Sequence, residues 1–198
     1  IIVGKMLGTE AFAAVGSTGS LNFLILGFAL GVCSGFTIPI SQSFGAGDMN
    51  AVRRRCGQAI WLCLATTALI TVLTYFTTGP ILRLTNTPEN LYDDAYTYIF
   101  IIFMGTGALV LYNMAASVLR ALGDSRTPLY FLIAATCINI ALDVLFMGPM
   151  GMGVEGAAYA TVIAQLFSGL ACLVYMDRKV PLLRLTRQDL RPDWREML

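Results

Sequence analysis

Five long apolar stretches dominate this sequence and leave it one kind of fold. They cover residues 17–40, 57–78, 95–119, 128–147 and 154–176. A helix needs about 20 mainly apolar residues to cross a bilayer, and each stretch reaches that length. Only 13% of the residues are charged, whereas soluble domains carry about 25%. Too few charges remain to cover a surface that faces water, so the sequence predicts an all-α, polytopic transmembrane bundle with five complete spans.

Short connections with helix breakers separate the five stretches. They are residues 45–48, 86–90, 123–128 and 148–151, and each contains Gly or Pro. The opening residues 1–7 are interpreted as the outer end of a preceding helix. The chain begins with Ile1 rather than Met and lacks the charged start of a signal peptide, so we expect it to be a piece of a longer protein.

The basic residues are concentrated in alternate connections, and this pattern predicts the orientation in the membrane. Eleven of the thirteen Lys and Arg residues lie in segments 45–56, 120–127 and 177–198, and the other two are Lys5 and Arg83. Cytoplasmic loops carry an excess of Lys and Arg. The three basic segments are therefore predicted to be cytoplasmic in a multi-pass protein of the plasma membrane, which would be the inner membrane of a bacterium.

One carboxylate lies well inside a predicted span. Asp143 belongs to the apolar run 137–146, where a charge costs several kcal/mol unless it faces a cavity, a partner or an ion. No Lys or Arg lies in the body of any predicted span to pair with it. Neutralisation by a proton or a cation is the remaining option, so Asp143 is predicted to bind a coupling ion. The alternative is a protonated carboxyl that joins two helices.

Other polar residues in the spans are candidates for the same site. Asn139 lies four residues before Asp143 and shares its helix face. Amide and carboxylate oxygens suit a proton or a small cation such as Na⁺, although a lone intramembrane Asn usually joins helices. Asn113 in the third span and Thr161 in the fifth are similar candidates, and Gln165 has no assigned role. Substrate-binding residues do not emerge from the pattern.

Several classes of function are excluded by what the sequence lacks. It has no His and no CxxC pair among its five Cys, which disfavours zinc, haem and His-based catalysis. It has no GxxxxGK[ST] loop, so a pump with its own ATPase is disfavoured. The arginines form no basic face for nucleic acid. We therefore expect a protein that is not an enzyme, needs no cofactor beyond its coupling ion, and draws energy from an ion gradient.

Two features of the first stretch concern helix packing. Gly27, Gly31 and Gly35 recur every four residues along one face, which is typical of a close helix contact. Pro39 near the end of this stretch favours a kink.

Four segments together resemble the MATE (multidrug and toxic compound extrusion) exporters. They are NMAASVLRALGDSRTP at 113–128, QSFGAGD at 42–48, NIALD at 139–143 and GVEGAAYAT at 153–161. The resemblance implies that the five spans are helices two to six of a twelve-helix protein, in which two six-helix bundles face each other across a cavity. Residues 1–176 would be part of the N-terminal bundle, and 177–198 a cytoplasmic connector toward the second bundle.

The resemblance also implies an activity and a set of ion ligands. MATE exporters exchange Na⁺ or H⁺ for organic, often cationic, drugs by alternating access. The cation site of the N-terminal bundle would use Asn139 and Asp143, which would hold Na⁺ in a sodium-coupled protein, together with Thr161 and Asn113. The family's helix-one Asp is expected just before Ile1 and is absent here. The implied partners are membrane lipid, a small organic substrate and the second bundle.

Two other functions compete with this one. A flippase of lipid-linked precursors, from the wider superfamily, is expected to line its cavity with basic residues, and the predicted spans contain none. A non-transporting subunit of a membrane assembly would use Asp143 only structurally. Loss of drug export on substitution of Asp143 distinguishes the antiporter from both.

Overall fold

A computed structural model of the protein describes residues 2–84 and 87–180. Eight helices lie in these two ranges, and no strand does. They are α1 (Ile2–Met6), α2 (Gly8–Ser17), α3 (Gly19–Gly45), α4 (Met49–Leu84), α5 (Glu89–Met104), α6 (Thr106–Ala121), α7 (Arg126–Met147) and α8 (Gly153–Lys179). Four of them, α3, α4, α7 and α8, have the length and composition of membrane spans, and α5 with α6 forms a fifth, bent span. The predicted all-α transmembrane bundle is confirmed.

The start of the chain contains more helix than predicted. Residues 2–6 are helical, as expected, but residues 8–16, which were assigned to no helix, also form a helix, α2, which ends at Ser17. Gly8, at φ 91°, makes the turn between the two helices. The small side chain of Ala14 is fully buried with Ala95 and Ile99 of α5, so α2 approaches α5 closely. Contact with a distant helix, rather than apolar length, stabilises this short segment.

The third predicted span is broken. Residues 95–119 were expected to form one continuous helix, but α5 and α6 meet at Gly105 with a bend of 45°. A Cβ atom at Gly105 would overlap the side chain of Val162 in α8. Glycine therefore allows α8 to pass directly against the bend.

The predicted basic loops are shorter in the structure. Only residues 46–48 separate α3 from α4, so residues 49–56, predicted as loop, form the first two turns of α4 and carry Arg53 to Arg55. The connection predicted at 120–127 is reduced to 122–125. The helix α3 continues past Pro39 to Gly45, and the Pro39 carbonyl accepts hydrogen bonds from Ser43 and from Arg55 of α4. The tail from residue 177 begins inside α8, and residues 181–198 lie outside the described ranges.

The connections before α4 and α7 have the same construction. Gly47 and Gly123 adopt positive φ angles of 76° and 89°, and each is followed by an Asp. The Asp48 N–H donates to the Ser43 carbonyl at 3.1 Å, and the Asp124 N–H donates to the Leu119 carbonyl at 2.9 Å. These are Schellman turns, which require Gly at the left-handed position.

In each turn the Asp side chain caps the helix that follows. The Ala51 N–H donates to the Asp48 Oδ1 atom at 2.9 Å, and the Thr127 N–H donates to the Asp124 Oδ1 atom at 3.0 Å. In both cases the donor is three residues after the Asp. One Gly-Asp pair thus ends one helix and begins the next within a few residues.

The basic segments meet at one end of the bundle. An apolar cluster there joins residues from the ends of α3, α6 and α8 and from the start of α4. Its members include Ile40, Val52, Val118, Ala121 and Met176. The described Arg and Lys residues of the three basic segments therefore share one end, while Lys5 and Arg83 belong to segments at the other.

Substitution of Asp124 by Ala is expected to lower stability in a pH-dependent manner. The Thr127 hydroxyl and backbone N–H hold the pKa of the Asp124 carboxyl below its ordinary value. Because folding lowers this pKa, the ionised carboxylate contributes its full stabilisation to the fold at pH values above the ordinary pKa of about 3.9. This contribution is lost as the pH falls through the lowered pKa of the folded protein. Thermal unfolding in detergent should show a deficit of about 1 kcal/mol near neutral pH.

The matched control is Asp124→Asn, which keeps a capping oxygen without the charge. This variant should lose little stability at neutral pH. A deficit of Asp124→Ala that stays constant down to about pH 3 would contradict the role of the carboxylate.

Candidate functional site

The contact between α7 and α8 brings together two of the predicted site residues. The Asn139 Nδ2 atom donates to the Thr161 Oγ1 atom at 3.4 Å, across the two helices. The Thr161 hydroxyl donates to the Ala157 carbonyl of its own helix at 2.9 Å, which orients its lone pairs. The distance of 3.4 Å between Asn139 and Thr161 marks a weak hydrogen bond. The Asn139 and Thr161 side-chain oxygens can therefore still contact another ligand.

Asp143 lies one turn along α7 from Asn139, on the same face. Its Oδ1 atom is buried, and no residue in the described ranges donates a hydrogen bond to it. A buried carboxylate oxygen without a donor costs free energy, and binding of a proton or cation removes that cost. The helix thus places an unsatisfied carboxylate beside the Asn139–Thr161 pair.

Other buried oxygens without a partner show what distinguishes Asp143. The side-chain oxygens of Asn22, Thr106 and Gln165 are also buried, and nothing in the described part of the chain hydrogen bonds to them. These groups are neutral, and a water molecule satisfies a neutral oxygen adequately. Of the four groups, only Asp143 gains charge compensation from an ion.

Tyr98 of α5 was missed by the sequence analysis. It is half-buried and lies close enough to Asp143 for the two groups to interact electrostatically. A phenol hydroxyl can donate to a carboxylate or contribute an oxygen to a cation. The chain has eight Tyr residues, so Tyr98 did not stand out before the packing of α5 against α8 was known.

Asn113 has a different local partner. Its Nδ2 atom donates to the Leu109 carbonyl at 2.8 Å, within α6. Within residues 2–84 and 87–180, no hydrogen bond joins it to Asn139, Asp143 or Thr161. Its role as a cation ligand stays a prediction.

The glycine stripe of α3 does not make the helix contact that was predicted. A Cβ atom added at Gly27, Gly31 or Gly35 would meet no other described residue within 4 Å. All three glycines are exposed on the outer face of α3. This face has small side chains and no neighbour among the described residues.

A match to a family and to solved transporters gives this arrangement a context. The MatE family pattern matches residues 1–145. The "Probable multidrug resistance protein YoeA" of Bacillus subtilis is 39% identical over 185 residues, which cover 91% of this chain and 40% of the relative. A solved "inward-facing conformation of a multidrug resistance MATE family transporter of the MOP superfamily" has a TM-score of 0.90 at 25% identity, over 98% of this chain and 44% of its own.

The fold is that of a multi-pass membrane transporter. The chain belongs to the MATE family of multidrug transporters. It spans about 40% of the length of the curated relatives that it matches. One of these, from Shewanella oneidensis, is named "FAD transporter"; it is 29% identical over 82% of this chain and 37% of the relative.

Proposed function

We propose that this chain forms part of the N-terminal bundle of a cation-coupled antiporter, which exports organic and predominantly cationic compounds by alternating access. The observation that carries the proposal is the half-buried Asp143 side chain, whose buried Oδ1 atom has no donor in the described chain and lies one helical turn from the Asn139–Thr161 pair. This arrangement suits a transported proton or Na⁺ better than a permanently neutral structural contact, because charge neutralisation is worth more in a bilayer than an ordinary hydrogen bond.

Coupling requires that the ion and the drug favour different conformations. The candidate site draws on three helices: Asn139 and Asp143 are on α7, Thr161 bonds to Asn139 from α8, and Tyr98 of α5 interacts electrostatically with Asp143. When Asp143 is neutralised, the electrostatic interactions across these helices change. The bend at Gly105 lies in the same span as Tyr98 and packs on α8. A change in the interaction between Tyr98 and Asp143 would therefore act on the bent span.

The remaining surfaces agree with this role. The open glycine face of α3 would face the central cavity and the second bundle, while lipid would cover the bulky exposed side chains of α4 and α7. The basic end would be cytoplasmic, in the inner membrane of a bacterium. The relative named "FAD transporter" is a reason to test anionic as well as cationic compounds.

Transport by the complete protein in proteoliposomes tests the proposed function. A fluorescent organic cation such as ethidium should move against an imposed Na⁺ or H⁺ gradient, and collapse of that gradient should stop its accumulation. Transport that ignores both gradients would contradict cation coupling. Flipping of a lipid-linked pyrophosphate without ethidium transport would favour the flippase instead.

Thr161→Val is expected to weaken the apparent ion affinity of transport by about tenfold, the value of one lost ligand to a charged group. Valine has the same shape but no hydroxyl to accept from Asn139 or to contact an ion. The measurement is the initial rate of transport against Na⁺ concentration and against pH.

The matched control is Thr136→Val on the neighbouring helix α7. Thr136 is exposed, and its hydroxyl donates only to the Leu132 carbonyl of its own helix. The apparent ion affinity of transport by the Thr136→Val variant should stay near the wild-type value. Equal effects of the two substitutions would remove Thr161 from the site.

A further inference from the structure

A polar groove at the basic end of the bundle is separate from the site around Asp143. It lies between α3 and α6 and has a volume of 320 Å³. Ser34, Thr37, Ile38 and Ser41 line it from α3, and Ser117, Arg120 and Ala121 line it from α6. Four hydroxyl groups and a guanidinium thus share one groove with two apolar side chains.

The orientation of Arg120 is unusual for its position. It belongs to the last turn of α6, and an arginine there normally extends to the membrane surface. Instead its Nη2 atom donates to the Ser117 hydroxyl at 2.8 Å, one turn deeper in the helix. Ser117 is only 6% exposed. The guanidinium is therefore held along the wall of the groove.

The charge of Arg120 is not neutralised within the described residues. The structure gives it no ion pair there, and the Ser117 bond uses one of its five N–H donors. The nearby carboxylates have other partners: Asp48 caps α4, and Asp124 caps α7 and accepts from the Tyr175 hydroxyl at 3.4 Å. Several donors of Arg120 thus remain for a ligand.

We propose that this groove, which we call the Arg120 groove, binds an anionic oxygen group, either a phosphate or a carboxylate. A guanidinium with free donors recognises such groups by charge-assisted hydrogen bonds. The Thr37 and Ser41 hydroxyls donate to carbonyls of α3, so the Ser34 hydroxyl is the side chain of α3 that would add a donor. The group is carried either by an anionic lipid of the adjacent leaflet or by a soluble phosphate compound. Binding is measured without transport, so the inference does not depend on the role of Asp143.

The test measures binding of two probes to the complete transporter in detergent, after lipid has been removed. Inorganic pyrophosphate represents a soluble source, and its binding is read from the shift in thermal stability. Phosphatidylglycerol represents a lipid source, and its retention is read by native mass spectrometry against zwitterionic phosphatidylethanolamine. Arg120→Gln should weaken binding of at least one probe by about tenfold or more, as expected for the loss of a charge-assisted pair.

Arg126→Gln is the matched control. Arg126 is exposed at the start of α7, changes the net charge equally on substitution, and does not line the groove. Loss of pyrophosphate binding in Arg120→Gln alone would support the soluble source, and loss of phosphatidylglycerol alone would support the lipid. Equal binding by the two variants, for both probes, would overturn the proposal, because it would leave Arg120 the structural role of a cation at a helix C-terminus.

A second variant covers the case in which Arg120→Gln does not fold. Ser34→Leu with Ser41→Leu places apolar bulk at two exposed positions of α3 and leaves Arg120 in place. Leucine is well tolerated on a membrane helix, so folding should be preserved. This pair should reduce binding of the same probe as Arg120→Gln. Unchanged binding of both probes would overturn the proposal.

Discussion

Substitution of Asp143 by Asn is expected to abolish ion-driven export while the protein still folds and inserts. Asparagine keeps the size of the side chain, but it neither binds a proton nor carries charge. The Asp143 Oδ1 atom has no donor among the described residues, so little structural bonding is lost. If the carboxylate contributes about 3 kcal/mol to ion binding, the gradient-driven rate falls about 100-fold.

The measurement is ethidium uptake into proteoliposomes under an imposed ion gradient, with the amount of inserted protein checked. Asp124→Asn makes the same chemical change in the connection before α7 and should transport normally. Drug exchange across the membrane is also measured without an ion gradient. Exchange that persists in Asp143→Asn shows that only coupling to the ion is lost, whereas absent exchange shows that the drug pathway itself is blocked. A normal gradient-driven rate in Asp143→Asn would leave the carboxyl only a structural role.

Gly156→Val is expected to destabilise the bundle and to disrupt the site without touching any proposed ligand. A Cβ atom at Gly156 would lie 2.8 Å from the Phe146 Cβ atom and 3.3 Å from the Phe146 backbone carbon. Neither atom belongs to the flexible end of a side chain, so α7 must move away from α8. Overpacking of this kind costs about 1–3 kcal/mol and lowers the temperature of unfolding.

This displacement also reaches the ion site. Asn139 and Thr161 are held together only by the α7–α8 contact, at 3.4 Å. A shift of less than an ångström breaks that bond, so ion affinity should fall together with stability. Fluorescence-detected unfolding and the ion dependence of transport measure the two effects.

Ala68→Val is the control for this prediction. It places the same side chain on a membrane helix, but Ala68 is exposed on α4 between Leu64 and Val72, which are exposed on the same face. Stability should change by less than about 0.5 kcal/mol, as for an uncrowded surface position. If Ala68→Val were as destabilising as Gly156→Val, the effect would come from valine in a helix rather than from the α7–α8 contact.

Much of the fold was predictable because a bilayer imposes a local rule. About 20 apolar residues must be helical to satisfy their backbone polar groups, whatever their neighbours are. The spans that correspond to α3, α4, α7 and α8 follow from this rule, and the Gly-Asp turns follow from the local chemistry of helix ends. The concentration of basic residues at one end also follows from their places in the sequence.

The tertiary structure decided the features that depend on contacts between distant residues. The helix α2 is held by α5, and the bend at Gly105 is matched to Val162 some 57 residues later. The glycine stripe of α3, which resembles a packing motif, has no described partner. None of these outcomes is encoded in the periodicity of a single segment.

The candidate site divides in the same way. The sequence by itself determined that Asp143 is a charge at membrane depth and that Asn139 shares its face, because both facts depend only on hydropathy and helical spacing. The tertiary structure decided that Thr161 contacts Asn139, that Tyr98 approaches Asp143 and that Asn113 bonds to its own helix. Partners on other helices are chosen by packing, which a sequence of apolar spans leaves undetermined because many helix arrangements bury the same residues.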